Sequence, residues 1–125
     1  GDVYKRQSLI HAPAFLLLDE PFSALDAFTR EELWLALQAL WMGARPTVIL
    51  VTHDLREATL LADTVYVMSP RPGTFTAQHA VPFARPRTLE LAFTPEFTDV
   101  IHELRARVGG LRSPIRAEEL MEAVS

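Results

Sequence analysis

The sequence predicts an α/β fold with a mostly parallel sheet and flanking helices. Two short apolar runs, residues 14–18 and Thr47–Val51, have the length and composition of buried strands. Between them, residues 27–42 carry apolar side chains at helical spacing. A strand, a helix and a second strand in this order pair in parallel through a right-handed crossover. Because parallel strands are normally covered on both faces, the all-apolar run at 14–18 fits a strand buried on both faces of a parallel sheet.

Composition limits the classes of protein to consider. The chain has 125 residues, 49% of them hydrophobic, which suits one domain or part of one with a real core. A net charge of −4 gives no sign of a nucleic-acid partner, and the lack of cysteine excludes disulfides and thiolate metal sites. No apolar stretch approaches the roughly 18–20 residues that span a bilayer. Any membrane association is therefore expected to come through a partner.

The first predicted helix has clear boundary signals. Asp26 is placed to cap the start of residues 27–42, and Gly43 is expected to end them. The apolar stripe of this helix predicts a core face. The residues of this stripe are Leu33, Trp34, Leu37, Leu40 and Trp41. Both tryptophans are expected in the core rather than at a stacking site.

The start of the second helix is also marked. Asp54 and Glu57 have the spacing of a capping box before Leu55–Leu61. Before the first strand, the tail of a helix is predicted at 8–12 and ends at Pro13. After the second helix, the sequence predicts a third strand at 65–68, a rigid turn at 69–73, an edge strand at 74–81 and an extended segment at 82–87. An amphipathic helix at 95–108, ended by Gly109 and Gly110, and a terminal helix at 114–124 complete the chain.

Polar side chains follow two predicted strands at their carboxyl ends, where parallel sheets bind ligands. Asp19 and Glu20 follow the first strand, and His53 follows the second. Pro21 disfavours helical geometry for Glu20, so the carboxylates are expected to leave the strand in an extended conformation. Taken one at a time, these residues also fit an acidic, solvated turn and a histidine at a helix start.

Three motifs in this order resemble the C-terminal half of the ATP-binding subunit of ABC transporters. Leu18-Asp19-Glu20-Pro21 resembles the Walker B motif with its catalytic glutamate. Ser23-Ala24-Leu25-Asp26 resembles the D-loop, and His53 resembles the switch histidine of the H-loop. The resemblance implies a partial P-loop NTPase (ABC ATPase) fold whose N-terminal half is missing. Its parts would be a truncation edge at 1–7, half of the ATPase core at 8–81, and a loop and helical extension at 82–125.

The resemblance implies a role for each motif residue. Asp19 would hold Mg²⁺ through water, since a carboxylate is a hard oxygen ligand. Glu20 would act as general base toward the attacking water, and His53 would contact the γ-phosphate of ATP. The D-loop consists of Ser23, Ala24, Leu25 and Asp26. It would lie at the interface with a second copy of the subunit and link the two ATP sites that the copies share, with Leu25 serving mainly in packing.

The parts that cradle phosphate in this family do not occur in the sequence. There is no G-x-x-x-x-G-K-S/T motif, the single lysine is Lys5, and no LSGGQ-type signature precedes residue 8. We therefore expect the 125 residues as given neither to bind ATP tightly nor to hydrolyse it. The family's P-loop strand, which packs near Walker B, is missing too. We thus expect bare strand faces and poor solubility.

The C-terminal part resembles importer subunits of the nitrate, sulfonate and taurine group. The segments that carry this resemblance are Met68-Ser69-Pro70-Arg71-Pro72-Gly73, Pro86-Arg87 with Leu89-Glu90, and Pro95-Glu96-Phe97. The implied partners are a membrane permease subunit, a second ATPase subunit and, indirectly, a periplasmic or lipoprotein solute-binding protein. No nucleic acid is implied. The implied location is the cytoplasmic face of the plasma (inner) membrane, as a peripheral subunit.

Three other interpretations stay open. A soluble, non-transport ABC-type ATPase of repair or translation usually has coiled-coil insertions or tandem ATPase domains, and this sequence shows neither. A catalytically dead interaction fragment would fit a reading frame that begins near Gly1. A metal hydrolase built on Asp19, Glu20 and His53 has the least support, because no pair of histidines has ligand spacing. The coding sequence upstream of Gly1 would discriminate between them.

Overall fold

The computed structural model describes residues 15–69, 73–109 and 117–124. Its elements are, in chain order, β1 (Phe15–Asp19), α1 (Ala27–Ala44), β2 (Thr47–Val51), α2 (Leu55–Leu61), β3 (Thr64–Met68), β4 (Phe75–Ala80), a 3₁₀ helix (Leu89–Phe93), α3 (Pro95–Gly109) and α4 (Ala117–Val124). This order confirms an α/β fold. The predictions for residues 1–14, 70–72 and 110–116 lie outside the described residues. No helix within the described ranges is long and apolar enough to cross a membrane.

β1 and β2 pair in parallel, as predicted. The register runs from Phe15 opposite Thr47 to Asp19 opposite Val51. One more hydrogen bond, from the Glu20 N–H to the Val51 carbonyl at 2.7 Å, extends the ladder beyond the strands. The carboxyl ends of the two strands therefore lie side by side, and the loops that follow them are neighbours.

β3 and β4 form a second, antiparallel sheet, and within the described ranges no strand joins it to the first. The predicted mostly parallel sheet is thus confirmed only for β1 and β2. A short connection can join antiparallel neighbours, whereas a parallel neighbour needs a long crossover. Because only six residues, 69–74, separate β3 from β4, β3 pairs with the next strand of the chain.

The burial that the apolar composition of β1 predicts is wrong for the chain as described, whereas the bare strand faces expected without the P-loop strand are present. Phe15 and Leu17 are 58% and 62% exposed, and Ile49, the register partner of Leu17, is 47% exposed. The core lies elsewhere, where α1, α2 and α3 pack against one another and against β3. Its buried side chains are Trp34, Leu60 and Phe97 in one cluster and Val67, Val100 and Leu104 in another. Since the helices bury their apolar sides there, the faces of β1 and β2 contact solvent.

Helix α1 begins as predicted and ends later than predicted. The Asp26 side chain accepts a 2.9 Å hydrogen bond from the Thr29 N–H and so caps its start. Gly43 does not end the helix. Arg45 does so, with a φ of 51° and an N–H that donates to the Trp41 carbonyl. An arginine thus occupies the left-handed position that glycine normally fills after a last helical turn.

The apolar stripe of α1 lies only partly in the core. Trp34 is 2% exposed, as predicted, whereas Leu40 is 74% exposed. A glutamine takes an inward position instead: Gln38 is buried, and its amide makes two 2.8 Å hydrogen bonds with the backbone N–H and C=O of Arg87. Tertiary hydrogen bonding therefore overrides the apolar pattern in this part of the helix.

Helix α2 has the predicted bounds and the predicted cap. Asp54 Oδ1 accepts hydrogen bonds from the N–H groups of Arg56 and Glu57, at 2.9 and 3.1 Å. Glu57 does not complete the predicted capping box. It is 2% exposed, and its Oε1 accepts a 2.7 Å hydrogen bond from the indole N–H of Trp34. The residue expected at a helix end is therefore part of the packing between α1 and α2.

The other end of α2 is held by a buried arginine. Arg87 donates from its guanidinium to four backbone carbonyls, those of Thr59, Leu60, Ala62 and Phe83. A cation at this end of a helix meets the negative end of the helix dipole. Burial, together with the nearby charge of Arg85, lowers the pKa of Arg87 to about 10. Arg87 therefore keeps its charge, and its hydrogen bonds, at neutral pH.

Candidate functional site

The loops that follow β1 and β2 bring Glu20 and His53 together. Glu20 Oε1 lies 2.9 Å from His53 Nε2, which is hydrogen-bonding distance. The histidine side chain is 93% exposed and the glutamate side chain 34% exposed, so a bound molecule can reach both. Strand pairing explains the contact, because Asp19 and Val51 are register partners and both loops leave the same edge of the sheet.

Glu20 is not extended, although its position before Pro21 predicted that it would be. Its φ is 46°, in the left-handed region that non-glycine residues rarely occupy. Its N–H donates to the Val51 carbonyl, and its own carbonyl accepts from the N–H and the hydroxyl of Ser23, at 3.4 and 3.2 Å. These contacts outweigh the local preference of a residue before proline. Backbone strain of this kind concentrates at functional sites, and here it occurs at the residue that meets His53.

An open cleft of about 350 Å³ surrounds this pair. The residues that line it come from both loops and from the first turns of α1 and α2: Glu20, Ser23, Arg30, Thr52, His53, Asp54 and Glu57. Three carboxylates and one guanidinium make the cleft polar and mostly acidic. A cleft of this composition suits water and a hydrated cation better than an apolar ligand.

Four of the lining residues had no predicted role in a site: Arg30, Thr52, Asp54 and Glu57. Arg30 Nε lies 3.8 Å from Asp54 Oδ2, and Thr52 Oγ1 accepts a 3.0 Å hydrogen bond from the Asp54 N–H. The sequence does contain a signal for Arg30, which follows Asp26 by four residues and so shares a helix face with it. Its approach to Asp54 depends on how α1 and α2 pack, which the spacing of residues does not reveal.

The other predicted site residues lie beside the cleft rather than in its lining. These exposed residues are Asp19, Ala24, Leu25 and Asp26. Ser23 is the one member of the D-loop motif that lines the cleft. Asp26 is engaged with α1, where hydrogen bonds from the Thr29 N–H and hydroxyl lower its pKa from the ordinary value of 3.8.

The carboxylates at this edge of the sheet do not complete a divalent-cation site by themselves. No group of three histidine, cysteine, aspartate or glutamate side chains that could hold a metal occurs in the part of the chain that the structure describes. Mg²⁺ usually takes one or two carboxylates and fills its remaining positions with water and phosphate oxygens. Asp19, exposed at the end of β1, can supply one such carboxylate.

Curated proteins of known name are similar to this chain. It is 34% identical over 116 residues to a taurine import ATP-binding protein of Pelagibacter ubique, which is 90% of this chain and 44% of that protein. It is 50% identical over 90 residues to an aliphatic sulfonates import ATP-binding protein of Pseudomonas aeruginosa, covering 70% of this chain and 36% of the relative. It is 51% identical over 79 residues to a nitrate import ATP-binding protein of Synechococcus elongatus, covering 62% and 29%.

These comparisons confirm the resemblance to the nitrate, sulfonate and taurine group that was inferred from the motifs and the C-terminal segments. No protein-family model matches the chain. The chain spans less than half the length of these curated relatives.

Proposed function

Because this chain is homologous to a part of the ATP-binding subunits of ABC importers, we propose that it forms the C-terminal half of such a subunit. It would carry the side of the ATPase site that activates water. The observation that supports this proposal is the 2.9 Å contact between Glu20 and His53 at the carboxyl edge of the parallel strands. The whole protein would hydrolyse ATP to energise uptake of a small anion such as nitrate, a sulfonate or taurine.

Each motif residue has a defined task in this proposal. Glu20 accepts a hydrogen bond from the attacking water and takes its proton, which typically contributes ~10²–10⁴-fold to a rate. His53 contacts the Glu20 carboxylate and has enough exposed surface to reach a terminal phosphate. Mg²⁺, when bound with ATP, supplies positive charge against the phosphate oxygens. Asp19 is the carboxylate that would hold the ion through water.

The phosphate cradle must come from outside these 125 residues, which contain no P-loop motif. In the proposed assembly, each site joins a P-loop from one subunit to the signature motif of a second copy. Ser23 and Asp26 lie in the exposed loop between β1 and α1, where that second copy would meet the chain. The dimer would dock on a membrane permease at the cytoplasmic face and act on solute delivered by a solute-binding protein.

The first test uses the protein expressed from the complete reading frame that encodes this chain. Glu20→Gln removes the base and keeps the shape of the side chain. ATP hydrolysis is therefore expected to fall ~10²–10⁴-fold while ATP binding is retained. Glu32→Gln changes an exposed acid of α1 outside the cleft and should leave the rate as it is.

Two results would overturn the proposal. One is an equal rate of hydrolysis in Glu20→Gln and in the unaltered protein. The other is a complete protein that neither binds ATP nor releases phosphate, which would favour the interaction fragment instead. The transported solute is assigned by uptake of labelled nitrate, an alkanesulfonate and taurine into cells that have or lack the gene.

The isolated 125-residue chain provides a separate measurement. Without a phosphate cradle it is expected to bind ATP with millimolar or weaker affinity and to release no phosphate. Isothermal titration calorimetry and a phosphate-release assay measure both properties. Micromolar binding by this chain would contradict the division of the site into two halves.

A further inference from the structure

A contact that no motif accounts for joins helix α1 to the loop that follows β2 in the proposed site. Arg30 lies near the start of α1, four residues after Asp26 of the D-loop, and its Nε is 3.8 Å from Asp54 Oδ2. Asp54 directly follows His53. The contact therefore connects the helix that begins at the D-loop with the loop that carries the histidine.

We propose that Arg30 is a positioning residue of the ATPase site, which holds His53 in place through Asp54. This inference rests on the proposed function. Arg30 does not touch Glu20 or His53 in any contact that the structure shows, so it would act on the chemistry only through its neighbour. A displacement of α1, such as a second subunit could cause at the D-loop, would reach His53 by this route.

Asp54 is suited to transmit such a displacement because it is held from several directions. Its Oδ1 accepts from two N–H groups of α2, and its own N–H donates to Thr52 Oγ1 at 3.0 Å. These local bonds fix His53 relative to the start of α2. The contact from Oδ2 to Arg30 then fixes the start of α2 relative to α1.

A second ion pair bridges the same two helices and provides a contrast. Arg56 Nη1 lies 3.2 Å from Glu31 Oε1, and neither residue lines the cleft. The pair of Arg30 and Asp54 is longer, at 3.8 Å, yet both residues line the cleft. Partly exposed ion pairs contribute little to stability. The location of the longer pair, rather than its strength, therefore points to a role in the site.

The charge of Arg30 also offsets the acidity of the cleft. The carboxylates of Glu20, Asp54 and Glu57 line it, and Arg30 is the one arginine among the described residues that do so. Removal of this charge leaves Asp54 without its cation, while the hydrogen bonds that cap α2 remain. The expected consequence is a displaced His53 in a protein that still folds.

The test measures ATP hydrolysis by the protein from the complete reading frame. Arg30→Gln is expected to lower kcat about tenfold and to change KM for ATP by less than about twofold, since Arg30 positions His53 and does not bind the nucleotide. Arg30→Lys keeps the charge and should recover most of the rate. Arg56→Gln breaks the pair outside the cleft and should leave kcat and KM as they are.

Asp54→Asn separates the charge of Asp54 from its capping role, because asparagine caps a helix about as well as aspartate. This variant and the double variant with Arg30→Gln should each lose as much kcat as Arg30→Gln alone, since all three lack the same pair. Circular dichroism melting shows whether each variant is folded. If Arg30→Gln does not fold, Asp54→Asn serves as the test.

The outcomes distinguish this inference from the proposed function. If Glu20→Gln stops hydrolysis but Arg30→Gln behaves like Arg56→Gln, the proposed function stands and the positioning role is wrong. Additive losses in the double variant, or a lysine that recovers no activity, would also overturn the positioning role. If Glu20→Gln hydrolyses ATP at the full rate, both proposals are wrong.

Discussion

The indole N–H of Trp34 donates a 2.7 Å hydrogen bond to Oε1 of Glu57, and each residue is 2% exposed. Trp34 belongs to the apolar core, whereas Glu57 lines the cleft that contains Glu20 and His53. Because a buried carboxylate is costly without a partner, Glu57 depends on this bond. Core packing and the shape of the proposed site are thus linked through one pair of side chains.

Replacement of this donor should destabilise the protein. Trp34→Phe keeps an aromatic ring but leaves the buried Glu57 carboxylate without its partner, so the free energy of unfolding should fall by about 1–3 kcal/mol. Urea denaturation followed by far-ultraviolet circular dichroism measures the change. Trp41→Phe is the control, because the Trp41 indole donates to the Pro46 carbonyl at 2.8 Å but is only partly buried. A loss for Trp41→Phe as large as for Trp34→Phe would contradict this explanation.

Arg87→Met should also be strongly destabilising. The guanidinium donates to four backbone carbonyls, and their loss should lower the free energy of unfolding by about 2 kcal/mol or more. Arg107→Met is the control, because this exposed side chain pairs only with Glu103 at 3.1 Å among its described contacts. Replacement of Arg107 should lower the free energy of unfolding by less than about 0.5 kcal/mol.

The effect of Arg87→Met should not depend on pH between pH 6 and pH 9. Burial lowers the pKa of Arg87 from its ordinary value to about 10, so the unfolded chain binds more protons only at pH values between about 10 and that ordinary value. Stability linked to this group therefore rises with pH in that window and is constant below it. Urea denaturation at pH 6 and pH 9 checks this, and a loss that grows by pH 9 would show that Arg87 titrates lower.

The cap of α1 should make stability depend on acidity. Hydrogen bonds from Thr29 lower the pKa of Asp26 from 3.8, so its stabilisation is present above pH 3.8 and is lost as the pH falls through the folded-state value. The melting temperature of Asp26→Ala should therefore lie below that of the unaltered protein at pH 7, and the difference should narrow in acid. Asp26→Asn caps without titrating, so its advantage over Asp26→Ala should persist. A difference that stays constant down to pH 2.5 would refute the linkage.

The open faces of β1 and β2 predict self-association of the isolated 125-residue chain. Leu17 and Ile49 are register partners and are 62% and 47% exposed. Exposed apolar strands are sites of aggregation, so Leu17→Lys should raise the fraction of soluble monomer. Size-exclusion chromatography with light scattering measures that fraction. Phe93→Lys, at a 76% exposed position of the 3₁₀ helix, is the control, and an equal gain there would show that the sheet is not responsible.

Local signals in the sequence were sufficient for several elements. Strand Thr47–Val51 and helix Leu55–Leu61 were predicted to the residue, because a β-branched run and an aspartate cap act over a few neighbouring positions. The prediction was wrong where distant groups intervene. In α1, Gln38 is buried and Leu40 is exposed, because the Gln38 amide hydrogen-bonds to the backbone of Arg87, which lies far along the chain.

By itself, the sequence determined the order of strands and helices, the caps at Asp26 and Asp54, and the motif residues that define the family. Only the tertiary structure decided that Glu20 adopts a φ of 46° and that its Oε1 lies 2.9 Å from Nε2 of His53. The approach of Arg30 to Asp54 was likewise decided by the tertiary structure. Capping and hydrophobic periodicity depend on neighbours within a turn or two. The contacts of the site depend on strand register and on the packing of α1 against α2, which join segments that are distant in the chain.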